Sequence, residues 1–271
     1  MAELPEITKI ATQMNKTLKG KTIETLTLLQ EKCLNIPVEA FKKRAEGATI
    51  VEVTHKGKWI LTTLDNGEHI LLSFGMGADV LYFEDENDEQ EKYQVKILFT
   101  DNSGYTARFW WFGQFYLTDD LENEPKTKDI AIDPFDERFT LEYFHDLLKG
   151  KRTQIKSFLM NQKNVGGIGN MYMHDILFKA SLHPQKKISD MNETQIQQLY
   201  QSIKDVLNLS NSKGAFNYEK DFFGEVGNYS IEDFLVGYKD NNNPCPVCMQ
   251  PIEQIKTGST SSYICPTCQK L

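Results

Sequence analysis

The sequence predicts an α+β multidomain chain: an N-terminal antiparallel β-sandwich led by one helix, an all-α C-terminal domain and a four-cysteine zinc ribbon. Three observations carry that expectation. After Gly20, β-branched and aromatic residues alternate in short runs. From Pro134 the apolar residues recur at helical spacing, and four of the five cysteines fall in the last 27 residues. Strands come first and helices later, which does not fit alternating βαβ units. The boundaries expected are a β-rich domain over 1–130, a helical domain over 134–235 and the ribbon over 238–271.

The leading helix is expected over residues 3 to 18, where Ile7, Ile10, Ala11, Met14 and Leu18 form a stripe one face wide. TIVEVTHKGKWILTTLDNGEHILLSF turns at Asp65-Asn66-Gly67, and YQVKILFTDNSGYTARFWWFGQFYL turns between Asn102 and Gly104. Both read as hairpins of a mostly antiparallel sheet. Four helical stretches follow: FTLEYFHDLL, TQIKSFLMNQ, MYMHDILFKA after the break at Gly166-Gly167-Ile168-Gly169-Asn170, and a helix from about Asp190 with Ile196, Leu199, Ile203 and Leu207 on its face. DNNNPCP opens the ribbon.

With 40% hydrophobic and 25% charged residues in a chain of 271, the composition is that of an ordinary soluble globular protein. No stretch approaches the roughly 20 apolar residues of a membrane helix, and MAELPEITKI lacks a signal-peptide pattern. A cytoplasmic protein with no membrane partner is expected. The net charge of -8 would ordinarily count against nucleic acid. That charge is local, however. EDENDEQEK (84–92) carries net -5 and DDLENE (119–124) carries four acids, so the remainder of the chain is +1. The run KGKRTQIKSFLMNQK (149–163) has five bases and no acid, which leaves a basic face elsewhere possible. The 84–92 run reads as a solvated loop.

Cys245, Cys248, Cys265 and Cys268 form two CxxC pairs separated by 16 residues, the spacing of a four-thiolate zinc ribbon. Two disulfides of a secreted module are the alternative, disfavoured by the missing signal peptide. Zn2+ so bound has no open coordination position, so its role is structural. Cys33 has no partner in sequence and reads as a small buried hydrophobe.

The opening Ala2-Glu3-Leu4-Pro5-Glu6, Lys58 within HKGKW, Gly167-Ile168-Gly169-Asn170-Met171-Tyr172 and the terminal ribbon occur in one order along the whole chain. That ordered set resembles the formamidopyrimidine-DNA glycosylase and endonuclease VIII family of base-excision repair enzymes. The resemblance implies a helix-two-turns-helix DNA-binding domain and double-stranded damaged DNA as partner. It also implies a monomeric glycosylase with abasic-site lyase activity.

In the family an N-terminal proline amine, exposed by loss of Met1, attacks the sugar; here Ala2 stands in its place. An α-amine near pKa 7.7–8.0 is partly neutral at pH 7, so Ala2 is the expected nucleophile. Glu3 is implied as the acid beside the sugar ring oxygen, a task that needs a buried carboxyl. Lys58 is implied at the lesion's phosphate and leaving group. Lys156 and Asn170 are implied phosphate contacts, Asn170 at a helix start whose amides favour anions.

The family fills the hole left by the extruded base with a Met from one loop and an Arg and a Phe from another. Met76 and Phe112 fit two of these, but Trp110 or Trp111 stands where the arginine is expected. An indole stacks on a base yet cannot donate two hydrogen bonds to its edge, so opposite-base discrimination should differ. One of the two tryptophans is expected inside the sheet and the other outside. The ribbon arginine that grips phosphates in the family falls at Thr260. Two other readings remain open: a non-catalytic or lyase-only relative that binds abasic DNA, and an interaction protein built around the ribbon.

Overall fold

A computed structural model describes residues 2–88, 90–239 and 243–271. Met1, whose removal the expected chemistry requires, Glu89 of the acidic run and Asp240 to Asn242 at the start of DNNNPCP lie outside the described residues. The chain forms two compact units. One comprises the residues up to Asp129 together with Lys213–Asn228; the other comprises Ile130–Ser212 and Tyr229–Leu271.

In the first unit α1 (Leu4–Leu18) buries the stripe read from sequence, and its start is fixed by a capping box. Glu3 is the N-cap, Pro5 sits in the first turn, and Glu6 three residues on accepts the Glu3 N–H at 2.9 Å. Two antiparallel sheets follow. The first has the order β1 (Ile23–Leu28), β6 (Val95–Phe99), β7 (Gly104–Phe109), β5 (Ala78–Phe83). The second runs β2 (Ile50–Lys56), β3 (Trp59–Leu64), β4 (His69–Ser73), β8 (Gln114–Thr118). Inward residues of both sheets share one core with α1, among them Val80, Ile97 and Ala107 of the first and Ile60, Ile70 and Phe115 of the second. This is a sandwich, as expected, with the two hairpins β3–β4 and β6–β7 at the turns read from sequence. A helix that the sequence reading did not anticipate, α2 (Val38–Ala45), seals one edge by stacking Phe41 on Phe115 at 5.2 Å.

Residues 213–228, which the sequence-based boundaries left among the helices, return to this unit. The Tyr82 N–H donates to the Phe222 carbonyl at 2.8 Å, and Lys9 pairs with Asp221 at 2.8 Å. Burial of Phe222 against Tyr82 and Tyr105 supplies the apolar area that holds the excursion.

The second unit holds α3 (Leu141–Leu148), α4 (Ile155–Met160), α5 (Asn170–Lys179), α6 (Glu193–Ser212) and the ribbon hairpin β9 (Glu253–Thr257) and β10 (Thr260–Ile264). Thr140 caps α3 by accepting the Tyr143 N–H at 3.1 Å. The helix expected from about Asp190 begins at Glu193, after a 3-10 turn over Ile188–Asp190. Buried from Met171 to Phe178, α5 is the centre of this unit. Its Asp175 carboxylate accepts the N–H groups of Leu235, Val236 and Gly237 at 2.6, 3.0 and 2.9 Å, anchoring the chain before the ribbon. Burial raises the Asp175 pKa even against these three bonds.

Candidate functional site

The N-terminal residues are enclosed. Ala2 and Glu3 are each 2% exposed, at the positive end of α1. Glu6 ties this terminus to the returning segment, accepting the Phe216 N–H at 3.0 Å as well as that of Glu3. Strand β2 runs back along α1: Asn15 accepts the Val53 N–H at 2.9 Å, and Thr8 meets His55 at 3.3 Å. The turn that ends this strand is thereby directed to the end where the helix begins. Lys58 occupies it, half-buried, after Gly57 at φ 58, the pattern of a type II′ hairpin. Ala2, Glu3 and Lys58 therefore share one region. Glu6 was missed as a site residue, although its spacing from Glu3 is that of a capping box.

Met76, Trp110, Trp111 and Phe112 are brought together. Strands β4 and β8 pair Ser73 with Gln114, and β5 and β7 pair Ala78 with Phe109. The segments 74–77 and 110–113 thus cross between the sheets side by side. The Met76 N–H donates to the Trp111 carbonyl at 2.8 Å, and the Trp110 N–H to the Gly77 carbonyl at 2.9 Å. Gly75, at φ 57, is required here, since a Cβ would lie 2.1 Å from the Trp111 carbonyl oxygen. The expectation of one tryptophan inside and one outside is corrected: Trp110 is 45% exposed and Trp111 68%. Strand β7 ends at Phe109 and β8 starts at Gln114, so the alternation of a strand does not apply between them. Phe112 is 77% exposed at φ 59, and Met76 is also exposed.

In the second unit the glycine turn is held by Gln162, whose side chain accepts the Gly167 N–H at 2.8 Å and donates to the Ile168 carbonyl at 2.8 Å. Asn170 begins α5 as expected. Its amide nitrogen lies 3.4 Å from His174 Nε2, and its amide oxygen is buried without a partner among the described residues. His174 was not singled out from sequence, since a lone histidine in a helix carries no signal of its own. It is buried, accepts the Tyr263 N–H at Nδ1 (3.3 Å), and is pushed down to about 3 by burial and then by the charge of Lys156.

Lys156 lies beneath the ribbon hairpin. It is 3% exposed, not presented as a surface phosphate contact. Its ammonium donates toward Thr257 Oγ1 (2.8 Å), Thr260 Oγ1 (2.9 Å), the Ser261 carbonyl (2.9 Å) and Ser262 Oγ (2.8 Å). Burial pulls its pKa down to about 8. An ammonium with no acid nearby is satisfied by the nearest concentration of oxygens, here the hydroxyl-rich hairpin. Thr260 takes part as an acceptor for that lysine. The other bases of the 149–163 run, Lys149, Lys151, Arg152 and Lys163, are exposed.

The Sγ atoms of Cys245, Cys248, Cys265 and Cys268 lie within 4.8 Å of one another, with Cys245 and Cys268 at 3.8 Å and Cys248 and Cys265 at 3.4 Å. Zn–S bonds of about 2.3 Å in a tetrahedron place sulfurs about 3.8 Å apart, so the four residues fit zinc. The Gln250 N–H lowers the Cys248 thiol to about 7, while burial raises Cys265 and Cys268, so the full set of four thiolates depends on the metal's charge. Cys33 is buried and its thiol is pushed up to about 11 by burial, as befits a packing residue.

Three family descriptions match consecutive parts of the chain: "Formamidopyrimidine-DNA glycosylase N-terminal domain" over residues 1–111, "Formamidopyrimidine-DNA glycosylase H2TH domain" over 130–218, and "Zinc finger found in FPG and IleRS" over 242–271. Formamidopyrimidine-DNA glycosylase from Desulforamulus reducens is 30% identical over 277 residues, covering 100% of this chain and 99% of the relative. That from Pelotomaculum thermopropionicum is 29% identical over 279 residues, with both chains fully covered. Among solved structures, Lactococcus lactis Fpg in complex with DNA containing an abasic site has a TM-score of 0.89 at 23% identity, both chains fully covered, which is a likeness of fold. With the sandwich, the helical unit and the zinc ribbon in this order and the relatives matched end to end, the chain belongs to the formamidopyrimidine-DNA glycosylase family.

Proposed function

We propose that this protein is a base-excision repair enzyme, a DNA glycosylase with abasic-site lyase activity, and that the Ala2 α-amine is its nucleophile. The observation that carries this is the enclosure of Ala2 and Glu3 at the positive end of α1, in line with the turn bearing Lys58. A helix N-terminus favours the neutral amine over the ammonium, and enclosure keeps water from competing for the sugar.

The neutral amine attacks C1′ of the damaged nucleotide, the C1′–N bond breaks, and the base leaves with a proton. Glu3 as an acid protonates the ring oxygen, the sugar opens, and a Schiff base forms between the α-nitrogen and C1′. Loss of a C2′ proton then expels the 3′ phosphate. Lys58 supplies positive charge at the phosphate side. Met76, Phe112 and Trp111 fill the space left by the extruded base, their backbones locked together by the paired crossovers. Zinc holds the ribbon and takes no part in the chemistry.

Asn170 fits a phosphate contact through its neighbour. His174 Nδ1 accepts the Tyr263 N–H, so the ring proton sits on Nε2 and calls for the Asn170 amide oxygen. The unpartnered buried end of that amide is then its NH2, a donor suited to a phosphate oxygen.

Borohydride trapping tests the proposal. Processed protein should form a reduced covalent complex with abasic DNA and with DNA carrying an oxidised base, and protein acetylated at the new terminus should form neither. Trapping on the abasic site alone indicates a lyase without glycosylase activity. Equal cleavage by blocked and processed protein removes Ala2 as the nucleophile.

A further inference from the structure

Trp110 sits at the foot of the wedge crossover, and the repair chemistry leaves it without a role. Its N–H donates to the Gly77 carbonyl at 2.9 Å, and its indole lies over the same glycine, where a Cβ would come within 2.8 Å of the ring. The indole also meets the Tyr218 ring, 6.1 Å between centroids and 88° between planes. Tyr218 belongs to the returning segment, 213–228, which is fixed at its neck and at its tip. Across the neck the Asn228 N–H donates to the Lys213 carbonyl at 2.8 Å, and at the tip Phe222 is buried in the sandwich core. Between these fixings Tyr218 is 61% exposed, and its ring stacks on Phe216 at 6.4 Å. Phe216 in turn donates its N–H to Glu6 Oε1 at 3.0 Å, and Glu6 Oε2 accepts the Glu3 N–H at 2.9 Å.

An unbroken series of contacts within one compact unit thus joins the crossover to the residue beside the nucleophile. We propose that Trp110 is a positioning residue that couples the wedge to the catalytic terminus: through Tyr218 and Phe216 it keeps Glu6 on the Glu3 N–H, so that the Ala2 amine is aligned while the crossover is seated. The inference rests on the repair reading. Ring contacts at a half-exposed tyrosine are weak enough to form and break as the crossover is loaded. The Glu6 bonds are buried and directional, so an arm that leaves Trp110 carries Phe216 off Glu6 and loosens the start of α1. In this role Trp110 touches neither sugar nor base, and its effect falls on rate and not on affinity.

Single-turnover borohydride trapping on abasic duplexes, with protein saturating the DNA, reads alignment. Affinity for a duplex carrying tetrahydrofuran, which has no aldehyde to react, reads binding. Trp110→Ala should slow trapping about fivefold, the size of one edge-to-face ring pair, and leave the tetrahydrofuran affinity within about twofold of the parent. Tyr218→Leu should slow trapping equally, the double variant should be no slower than either single one, and Tyr218→Phe, which keeps the ring, should match the parent. An affinity loss as large as the rate loss overturns the inference and makes Trp110 a DNA contact. Additive losses in the double variant, or an unaltered Tyr218→Leu protein, overturn it as well. A parent that binds no tetrahydrofuran duplex and traps on no abasic site instead overturns the repair reading itself.

Discussion

Lys156 and Thr260 are joined by a hydrogen bond of 2.9 Å, donated by an ammonium that lies beneath the ribbon hairpin. Thr257 and Ser262 bind the same ammonium at 2.8 Å each and are themselves buried. A lysine placed by resemblance at a DNA phosphate thus supports the ribbon from below, and the position where the family has an arginine serves as one of its acceptors.

Lys156→Met should therefore weaken the ribbon. Removing the ammonium takes four bonds from the hairpin and leaves Thr257 and Ser262 bonded to each other at 2.7 Å, a loss of about 1–3 kcal/mol. Thermal unfolding followed by zinc release to a colorimetric chelator should begin at lower temperature than in the parent. A variant that held zinc as firmly as the parent would show that the ammonium is not a support.

His174 should make stability fall with acid. Its folded pKa of about 3 lies below the ordinary 6.5, so the unfolded chain binds the extra proton between those values. The contribution is fully present above pH 6.5 and is lost as pH falls toward 3, amounting to about 2 kcal/mol by pH 5. Urea unfolding of the parent and of His174→Gln at pH 7 and pH 5 isolates it. The gap between the two proteins should narrow or reverse at pH 5; a constant gap contradicts a neutral buried imidazole.

Gly75→Ala should separate the two crossovers. The new Cβ meets the Trp111 carbonyl oxygen and the φ of 57 is unfavourable for alanine. Affinity for abasic duplexes should drop at least tenfold while the zinc content stays at that of the parent, because the ribbon belongs to the other unit. Unchanged affinity would detach Met76 and Trp111 from DNA binding.

Cys248→Ala should lose zinc and, with it, DNA affinity. Three remaining thiolates leave an incomplete tetrahedron, and the ribbon's apolar core is small, the cysteines with Ile252, Phe178, Val236 and Tyr263. Zinc stoichiometry and binding to abasic DNA, measured on one preparation, check both losses. Full affinity without metal would mean that the ribbon folds unaided.

Most of what depends on neighbours along the chain was legible in the sequence, with α2 and the Glu6 half of the capping box as exceptions. The α1 stripe from Ile7 to Leu18, the turns at Asp65-Asn66-Gly67 and Asn102–Gly104, and the paired CxxC knuckles are all set by spacing, because helix period, turn geometry and metal ligation act over a few residues. The ordered motifs likewise marked Ala2, Glu3 and Asn170. The direction in which Lys156 points, the return of 213–228 to the sheets and the outward position of both tryptophans followed no local rule. Each depends on partners far away in sequence. Lys156 meets oxygens about a hundred residues on, Asp221 meets Lys9, and Trp110 and Trp111 are released from strand alternation because their flanking strands belong to different sheets. A buried charge takes the orientation that satisfies its donors, and which acceptors lie within reach is known only once the chain has folded.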